Sequence, residues 1–282
     1  MARYKSEHTR EAYARAVQQF GASFDVHPAQ VKPEHVIAWN VQLRQRYNQS
    51  TVNQRLSALS SFYAFVNKHY AHLRKDNPCE AARREAVDPY GKASYLEDGQ
   101  DIALLNSIDR NTLAGLRDYA VILLALTSGF RLDVFVQARV GDFQNTGGVV
   151  RLHYTNKGGE ADKARIHANT IRAIVDYMDA RGSVKDGDWL FDFGPDDPRT
   201  RRRKIQRMIY TRCATVFGRR HGITFHSLRH TAAMNAVKGG ASIQEVSGML
   251  RHKSLRVTTI YLQHIDDSAG ENASGLLDER YK

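Results

Sequence analysis

The stretch from Ala86 to Glu97, AVDPYGKASYLE, interrupts a chain whose apolar residues otherwise recur mostly at helical spacing. Pro89 and Gly91 lie within it, and these two residue types break helices because one lacks a backbone donor and the other favours turns. Helical patterning occurs on both sides of the interruption, so each side can build a core of its own. The sequence therefore predicts a helical domain over residues 1–86, a linker over 87–98 and a second domain over 99–282.

The first domain is predicted to contain three helices, each with one apolar face. In chain order these faces consist of Tyr13, Val17 and Phe20; Val36, Trp39 and Leu43; and Val52, Leu56, Leu59, Phe62, Phe65 and Val66. The segment Thr51-Val-Asn-Gln54 has the form of a capping box, which predicts that the third helix begins there. Basic residues are scattered over this region. Taken singly, each one fits a solvated surface, but together they suit a module that lies on a DNA backbone.

The second domain is predicted to be mainly helical with a small β-sheet. Residues Leu113 to Thr127 form a helix that is apolar on most sides and therefore buried, and Gly129 is placed to end it. The stretches Val149 to Tyr154 and Lys163 to His167 favour strands, and the Gly-Gly pair between them predicts a hairpin turn. The fold class that follows is mainly α with a small sheet, in a two-domain arrangement.

A strongly basic segment runs from Arg199 to Arg220, with nine basic residues and no acidic one. Its apolar residues recur at helical spacing, which predicts a helix with one buried face and one basic face. The whole chain has 41 Lys and Arg against 30 Asp and Glu, a net charge of +11, and this balance favours a polyanionic partner such as nucleic acid. The residues predicted to contact DNA are Arg201, Arg202, Arg203, Lys204 and Arg207.

Several features favour a cytoplasmic protein. Cys79 and Cys213 are the only cysteines, which is too few for a disulfide framework and typical of a reducing compartment. The first ten residues are polar, without the apolar core of a signal peptide. The longest apolar run, Tyr119 to Leu126, is far too short to span a membrane. We expect a cytoplasmic protein without a membrane partner.

The stretch from Thr224 to His264 carries the residues best suited to chemistry: His226, Arg229, His230, His252 and Tyr261. Arginine is a permanent planar cation whose donors match phosphate oxygens. Histidine can donate a hydrogen bond or move a proton near neutral pH, and tyrosine can act as a covalent nucleophile. None of these residues requires a metal, so the combination predicts phosphate chemistry without one.

The three blocks HSLRH, LRHKS and TTIYLQH resemble the signature of the tyrosine recombinases, the family of phage integrases and of the Cre and Xer proteins. That signature is His-x-x-Arg, a later His or Trp, and a Tyr about nine residues further on. The segment TSGFRLD resembles the family's Thr-Gly-x-Arg block, which makes Arg131 the first catalytic arginine. It departs from the block by the inserted Ser128, and by Val134 where the family usually has an acidic residue, with Asp133 one position early.

The resemblance implies a role for each candidate residue. Tyr261 would be the nucleophile that becomes bonded to the 3′ phosphate, and Arg131 and Arg229 would hold the phosphate oxygens. His226 and His252 would hydrogen-bond the phosphate, and His226 would be a candidate to accept the tyrosine proton. Lys157, in the hairpin turn, would be the candidate acid for the leaving 5′ oxygen, with Lys163 as the competing choice. Neither a metal nor a nucleotide cofactor would be required.

The resemblance also implies partners. A helical core-binding domain and a catalytic domain would clamp opposite faces of double-stranded DNA that carries inverted-repeat recombination sites. The protein would act as a homotetramer on two paired sites, in integration, excision or resolution of DNA, and would be associated with the nucleoid.

Three other interpretations of the same residues exist. His226 and His230 are four apart, as in metal-binding helices, but no His-Glu-x-x-His motif and no acidic third ligand accompanies them. The segment from Gly240 to Tyr261 also fits a helix-turn-helix in a non-catalytic DNA-binding protein, which would have no use for Arg131 and Tyr261 together. A type IB topoisomerase uses the same chemistry, and the helical module before the linker favours a recombinase over it.

Overall fold

The computed structural model describes residues 7–82, 84–87, 94–156, 159–194, 197–252 and 258. The chain divides into two compact units, Met1–Pro89 and Tyr90–Lys282. The fold is mainly helical with one small antiparallel sheet, which confirms the predicted fold class. Within the described ranges, no helix is both long enough and apolar enough to cross a membrane.

The first unit is built from three helices, α1 (Glu7–Ser23), α2 (Pro33–Arg46) and α3 (Gln49–His69). Short 3-10 turns lie at Pro28–Gln30 and Pro78–Ala81. The core contains most residues of the predicted apolar faces, and its most buried members are Val36, Trp39, Leu43, Val52, Leu56, Leu59 and Tyr63. Phe65, which was predicted on the third face, is 38% exposed, and Tyr63 was not predicted.

The third helix begins earlier than its predicted capping box. Asn48 is the N-cap of α3, and its side chain accepts a hydrogen bond of 3.0 Å from the Thr51 backbone N–H. Thr51 is therefore the third residue of the helix and not its cap. Asparagine is at least as good an N-cap as threonine, so the earlier residue takes the role.

The second unit contains seven helices in its described part. They are α4 (Gln100–Asn106), α5 (Leu113–Ser128), α6 (Leu132–Gln137), α7 (Ala168–Arg181), α8 (Pro198–Phe217), α9 (Phe225–Lys238) and α10 (Ile243–Leu250). A further 3-10 turn spans Val140–Asp142. The apolar helix α5 packs against α7 and α9, and its buried residues form the centre of the core, as its composition predicted.

Gly129 ends α5 in the left-handed conformation with φ of 61°, which confirms its predicted role. A side chain would be strained at this φ. It would also collide with a neighbour, since a Cβ on Gly129 would lie 2.7 Å from Cδ2 of Leu250 at the end of α10. The glycine thus allows the ends of two helices to meet.

The sheet has three strands in the order β1 (Phe143–Thr146), β2 (Val149–Thr155) and β3 (Ala161–Arg165). Strands β2 and β3 form the predicted hairpin, with Thr155 paired to Ala161 at its end. Strand β3 begins two residues before its predicted start. The two additional residues pair with the backbone of β2, but they are too polar for a strand to be recognised from the sequence. Strand β1 was missed for the same reason, since its sequence FQNT has only one apolar residue.

Arg201 does not lie on a DNA-facing surface, and its predicted role in DNA binding is wrong. Its side chain is 0% exposed. It donates hydrogen bonds to the backbone carbonyls of Val136 (3.1 Å), Phe191 (2.9 Å) and Gly194 (3.4 Å), and its guanidinium lies 3.9 Å from the ring centroid of Trp189. A buried cation with these partners joins α8 to α6 and to the loop before α8.

We predict that Arg201→Met destabilises the second unit. Three buried carbonyls lose a charged donor, and we expect a loss in unfolding free energy on the order of 2–4 kcal/mol. Urea denaturation followed by circular dichroism measures the change. Arg203→Met is the matched control, because Arg203 is exposed on the same helix, and its effect should stay within about 0.5 kcal/mol. Equal effects of the two substitutions would contradict the structural role of Arg201.

Candidate functional site

The candidate site is organised around Arg229 in the second turn of α9. Thr224 caps this helix, with its side chain accepting from the Ser227 backbone N–H. Arg229 is only 3% exposed. Its Nη1 donates to the carbonyl of Gly129, and its Nη2 donates to the carbonyl of Leu250 at 2.6 Å. The guanidinium is therefore fixed between the C-terminal ends of α5 and α10.

Arg131 lies two residues after Gly129 and is the N-cap residue of α6. Its side chain is half-buried. Among the residues that the structure describes, no hydrogen bond or ion pair involves its guanidinium. The cation is thus held near Arg229 by its backbone position, with its donors available to a ligand.

The two predicted catalytic histidines lie beside these arginines. His226 is three residues before Arg229 on α9, and part of its ring reaches solvent. His252 is two residues after the end of α10, and its Nδ1 lies 2.9 Å from the hydroxyl of the fully buried Thr258. His230 is buried and packs edge-on against His226, with ring centroids 4.4 Å apart.

Arg131 and Arg229 line one pocket, and their charges act on both histidines. Desolvation lowers the pKa of His226, and the positive charges of Arg229 and Arg131 lower it further. The pKa of His252 falls to about 4, first through desolvation and then through Arg229, Arg131 and His226. Both rings are therefore neutral at pH 7, and a neutral imidazole has one donor and one acceptor nitrogen.

Two of the predicted catalytic residues, Lys157 and Tyr261, lie outside the described residues. Of the described residues on either side of positions 157 and 158, Gly159 donates its backbone N–H to the Asn156 carbonyl at 3.0 Å. Lys163, the competing candidate, is exposed on β3 and pairs with His153 of β2. The choice between the two lysines stays a prediction.

Four of the five residues that were predicted to contact DNA are at least partly exposed on α8. Arg203, Lys204 and Arg207 are exposed, and Arg202 is half-exposed and forms an ion pair with Asp133 of α6. Lys204 donates to the carbonyl of Phe193 at 2.9 Å. Arg203 and Arg207 are therefore the strongest candidates on this surface for contact with DNA.

Sequence reasoning missed three residues that shape the site. Thr258 holds His252, and Arg251 and Asp162 form an ion pair beside it, with Nε and Oδ2 2.7 Å apart. Thr258 lies in the same block, TTIYLQH, as Tyr261, and this position was the sequence signal that could have identified it. The Arg251–Asp162 pair joins residues 89 positions apart, and no local pattern indicates it. No three His, Cys, Asp or Glu side chains cluster as metal ligands in the part of the chain that is described.

We predict that His252 makes folding stability depend on pH. A histidine has a pKa of about 6.5 in the unfolded chain, and the folded value of His252 is about 4. The unfolded chain therefore binds the proton first as the pH falls. The stabilisation is complete above about pH 6.5 and is lost progressively towards pH 4. Between pH 6.5 and 4.5, urea denaturation should show a steeper loss for wild type than for His252→Asn. Parallel pH profiles would contradict the shift.

The chain is similar to known proteins along most of its length. The model of the phage integrase family matches residues 96–267, and that of the phage integrase N-terminal SAM-like domain matches residues 1–71. Tyrosine recombinase XerC of Pelobacter propionicus is 28% identical over 265 residues, covering 91% of this chain and 84% of the relative. XerC of Chlamydia trachomatis serovar D is 28% identical over 225 residues, covering 78% and 69%.

Solved structures share the fold at low sequence identity. The XerH site-specific recombinase, bound to palindromic difH substrate in a post-cleavage complex, has a TM-score of 0.76 at 17% identity and covers 94% of this chain and 78% of its own. The Tn1549 transposon integrase, in complex with transposon right-end DNA, has a TM-score of 0.74 at 15% identity and covers 98% and 96%. The family model spans more than half of the sequence and includes every residue of the candidate site. This chain belongs to the phage integrase family of tyrosine recombinases.

Proposed function

We propose that this chain is a site-specific recombinase that cleaves and rejoins DNA through a phosphotyrosine formed by Tyr261, without a metal or ATP. The observation that carries the proposal is a pocket lined by Arg131 and Arg229, with His226 on the helix of Arg229 and His252 two residues after Leu250, which also lines the pocket. Both histidines are neutral at pH 7. A phosphodiester under attack builds negative charge on its non-bridging oxygens, and fixed cations stabilise that charge. The sequence supplies Tyr261 nine residues after His252.

The two arginines have different supports and would act together. Hydrogen bonds to the carbonyls of Gly129 and Leu250 orient Arg229 before any ligand arrives. Arg131 approaches from the N-terminal end of α6. Between them, their guanidinium groups would bind the non-bridging oxygens of the scissile phosphate, which planar donors match well. Arg229 does not need to reorganise as charge develops, which is the main requirement for electrostatic catalysis.

The neutral histidines suit proton transfer and hydrogen bonding. His226 would accept the phenolic proton of Tyr261 as the oxygen attacks phosphorus. If the Thr258 hydroxyl donates to Nδ1 of His252, the ring proton resides on Nε2, from which it can be donated to a phosphate oxygen. A histidine that was charged at neutral pH could not serve as the base, so the lowered pKa of His226 supports this role.

The leaving group is the 5′ oxygen of the next nucleotide. As the bond from phosphorus to this oxygen breaks, Lys157 would give it a proton, and a 5′ hydroxyl is released. The 3′ phosphate stays bonded to Tyr261. Because this ester keeps the energy of the broken bond, a 5′ hydroxyl from the same or another strand can attack it and release the tyrosine.

The proposed partners are double-stranded DNA with inverted-repeat sites and further copies of the chain in a homotetramer. The net charge of +11 and the exposed Arg203 and Arg207 on α8 support the DNA partner. The XerH and Tn1549 structures with a similar fold are DNA complexes. We assign residues 1–86 to a helical core-binding domain and residues 99–282 to a catalytic domain, and both would contact the duplex. Both cysteines are free and buried, which fits the reducing cytoplasm, and association with the nucleoid would follow from DNA binding.

We predict that Tyr261→Phe binds its DNA as wild type does and forms no covalent adduct. Wild type, incubated with a nicked target in the presence of EDTA, should give a protein–DNA band that survives detergent. Tyr210→Phe is a matched control, because Tyr210 is an exposed tyrosine on α8, and it should keep the adduct. An adduct formed by Tyr261→Phe would assign the nucleophile elsewhere.

We predict that Lys157→Ala is slow on normal DNA and close to wild type on DNA whose 5′ bridging oxygen is replaced by sulfur. General-acid help is worth about 10²–10⁴-fold, and a leaving thiolate is too weakly basic to need it. Arg131→Ala should be slow on both substrates, because its task is to stabilise charge on the phosphate. Single-turnover cleavage measures each rate.

Lys163→Ala is the control for the choice of lysine within the hairpin. Sulfur rescue of Lys163→Ala without rescue of Lys157→Ala would make Lys163 the acid. Rescue of neither variant would move the role to another residue, with His226 and His252 tested next.

A further inference from the structure

Asp162 on β3 gathers four donors at the base of the hairpin turn. Its Oδ2 accepts from the Tyr154 hydroxyl at 3.2 Å, from Nδ2 of Asn156 at 2.9 Å and from Nε of Arg251 at 2.7 Å. Its Oδ1 accepts from the backbone N–H of Lys163 at 2.7 Å. Burial by itself raises the pKa of this carboxyl, but the hydrogen bonds and the Arg251 charge outweigh it and hold the pKa below its usual value.

Arg251 is the partner that comes from outside the hairpin. Its Nη1 donates to the carbonyl of Gly248 at 2.6 Å, on its own helix, while its Nη2 donates to the carbonyl of Lys163 at 3.1 Å, on β3. Together with the Asp162 contact, these bonds join the end of α10 to the β2–β3 hairpin. One side chain thus spans two elements that approach each other only in the folded chain.

The backbone of Arg251 is in the left-handed conformation, with φ of 52° and ψ of 48°. Within the described ranges it is the only residue other than glycine with a positive φ. Such a conformation is unfavourable for a side chain as large as arginine and persists where surrounding contacts determine it. The bonds to Asp162, Lys163 and Gly248 are those contacts.

The position of this link in the chain gives it a function. Arg251 directly precedes His252, and Asn156, which also bonds Asp162, directly precedes Lys157. The link therefore lies between the residues next to the candidate acid and next to a candidate phosphate ligand. The side chains of the pair are 38% and 25% exposed, so the pair contributes little to global stability. We expect the pair to affect the geometry of the β2–β3 turn instead.

We propose that the Arg251–Asp162 ion pair is a positioning device that holds the β2–β3 turn, and with it Lys157, in register with the segment that carries His252. Arg251 and Asp162 are positioning residues, since they act through the turn and do not touch the reacting atoms. The catalytic part of this inference rests on the proposed function, in which Lys157 is the acid.

The variants are Arg251→Met, Asp162→Asn and the double variant, with Arg251→Lys as the conservative change. Arg251→Gly removes the guanidinium and suits the left-handed backbone, so it serves if Arg251→Met fails to fold. Arg172→Met is the matched control, because Arg172 is an exposed arginine on α7 of the same unit. DNA binding and unfolding free energy are measured first, and both should stay close to wild type.

The first readout is amide hydrogen exchange. The Asn156 N–H bonds the Glu160 carbonyl at 2.8 Å and the Gly159 N–H bonds the Asn156 carbonyl, so both report on the turn. Exchange at these amides should be faster by on the order of tenfold in Arg251→Met and Asp162→Asn, and unchanged in α5. Unchanged exchange in the turn would overturn the proposal. This measurement needs no cleavage, so it decides on the link even if the proposed function fails.

The second readout is single-turnover cleavage on oxygen-bridged and sulfur-bridged DNA. Misplacing the acid by about 1 Å can cost roughly 10²-fold, so Arg251→Met should be slow on oxygen-bridged DNA and close to wild type on sulfur-bridged DNA. The double variant should be no slower than the slower of the two single variants, because both residues act through one contact. Arg251→Lys should recover part of the rate. Equal losses on both substrates would overturn the positioning role, whereas absence of any adduct from wild type would count against the proposed function itself.

Discussion

Arg229 is a nearly fully buried cation, and such a charge is tolerated only where hydrogen-bond acceptors surround it. Two of its acceptors are the carbonyls of Gly129 and Leu250, at the C-terminal ends of α5 and α10. Carbonyls at helix C-termini lack partners within the helix and carry the negative end of the helix dipole. The arginine satisfies both ends at once. Arg131 follows Gly129 by two residues and His252 follows Leu250 by two, so the contacts that stabilise the buried charge also set the positions of two other site residues.

Burial and charge together explain the state of the histidines. Desolvation is the larger cause of the lowered pKa of His226 and His252, and the positive charges of Arg229 and Arg131 lower it further, so both rings remain neutral at pH 7. A bound phosphate would offset part of that positive charge and raise the pKa of both rings. Without DNA, the positive potential of the site therefore favours the binding of an anion. It also keeps His226 in the form that can take a proton as the nucleophile reacts.

The sequence predicted the parts of this arrangement that depend on local pattern. The apolar helix before Gly129 and the hairpin were confirmed because periodicity and glycine placement determine them locally. Arg201 was misassigned because its neighbours made a basic run look uniform. Yet Arg201 lies four residues before Ile205 and seven before Met208, which puts it on the buried face of α8. The periodicity of the apolar residues was the better guide there. The Arg251–Asp162 pair could not be predicted, since it depends on how α10 meets the hairpin.

The position of Arg131 depends on α6, which begins directly after it, and on the contacts of α6 with α8. Val134, which stands where the family usually has an acidic residue, is buried in the core, and Asp133 faces α8 and pairs with Arg202. Helix α6 has only six residues and is too short to be stable without tertiary contacts. Near its start Arg202 binds Asp133, and near its end Arg201 binds the Val136 carbonyl. Because Arg131 is the N-cap residue of α6, these contacts from α8 bear on the position of the candidate catalytic arginine. The buried arginine of the basic run thus contacts the helix that begins directly after Arg131.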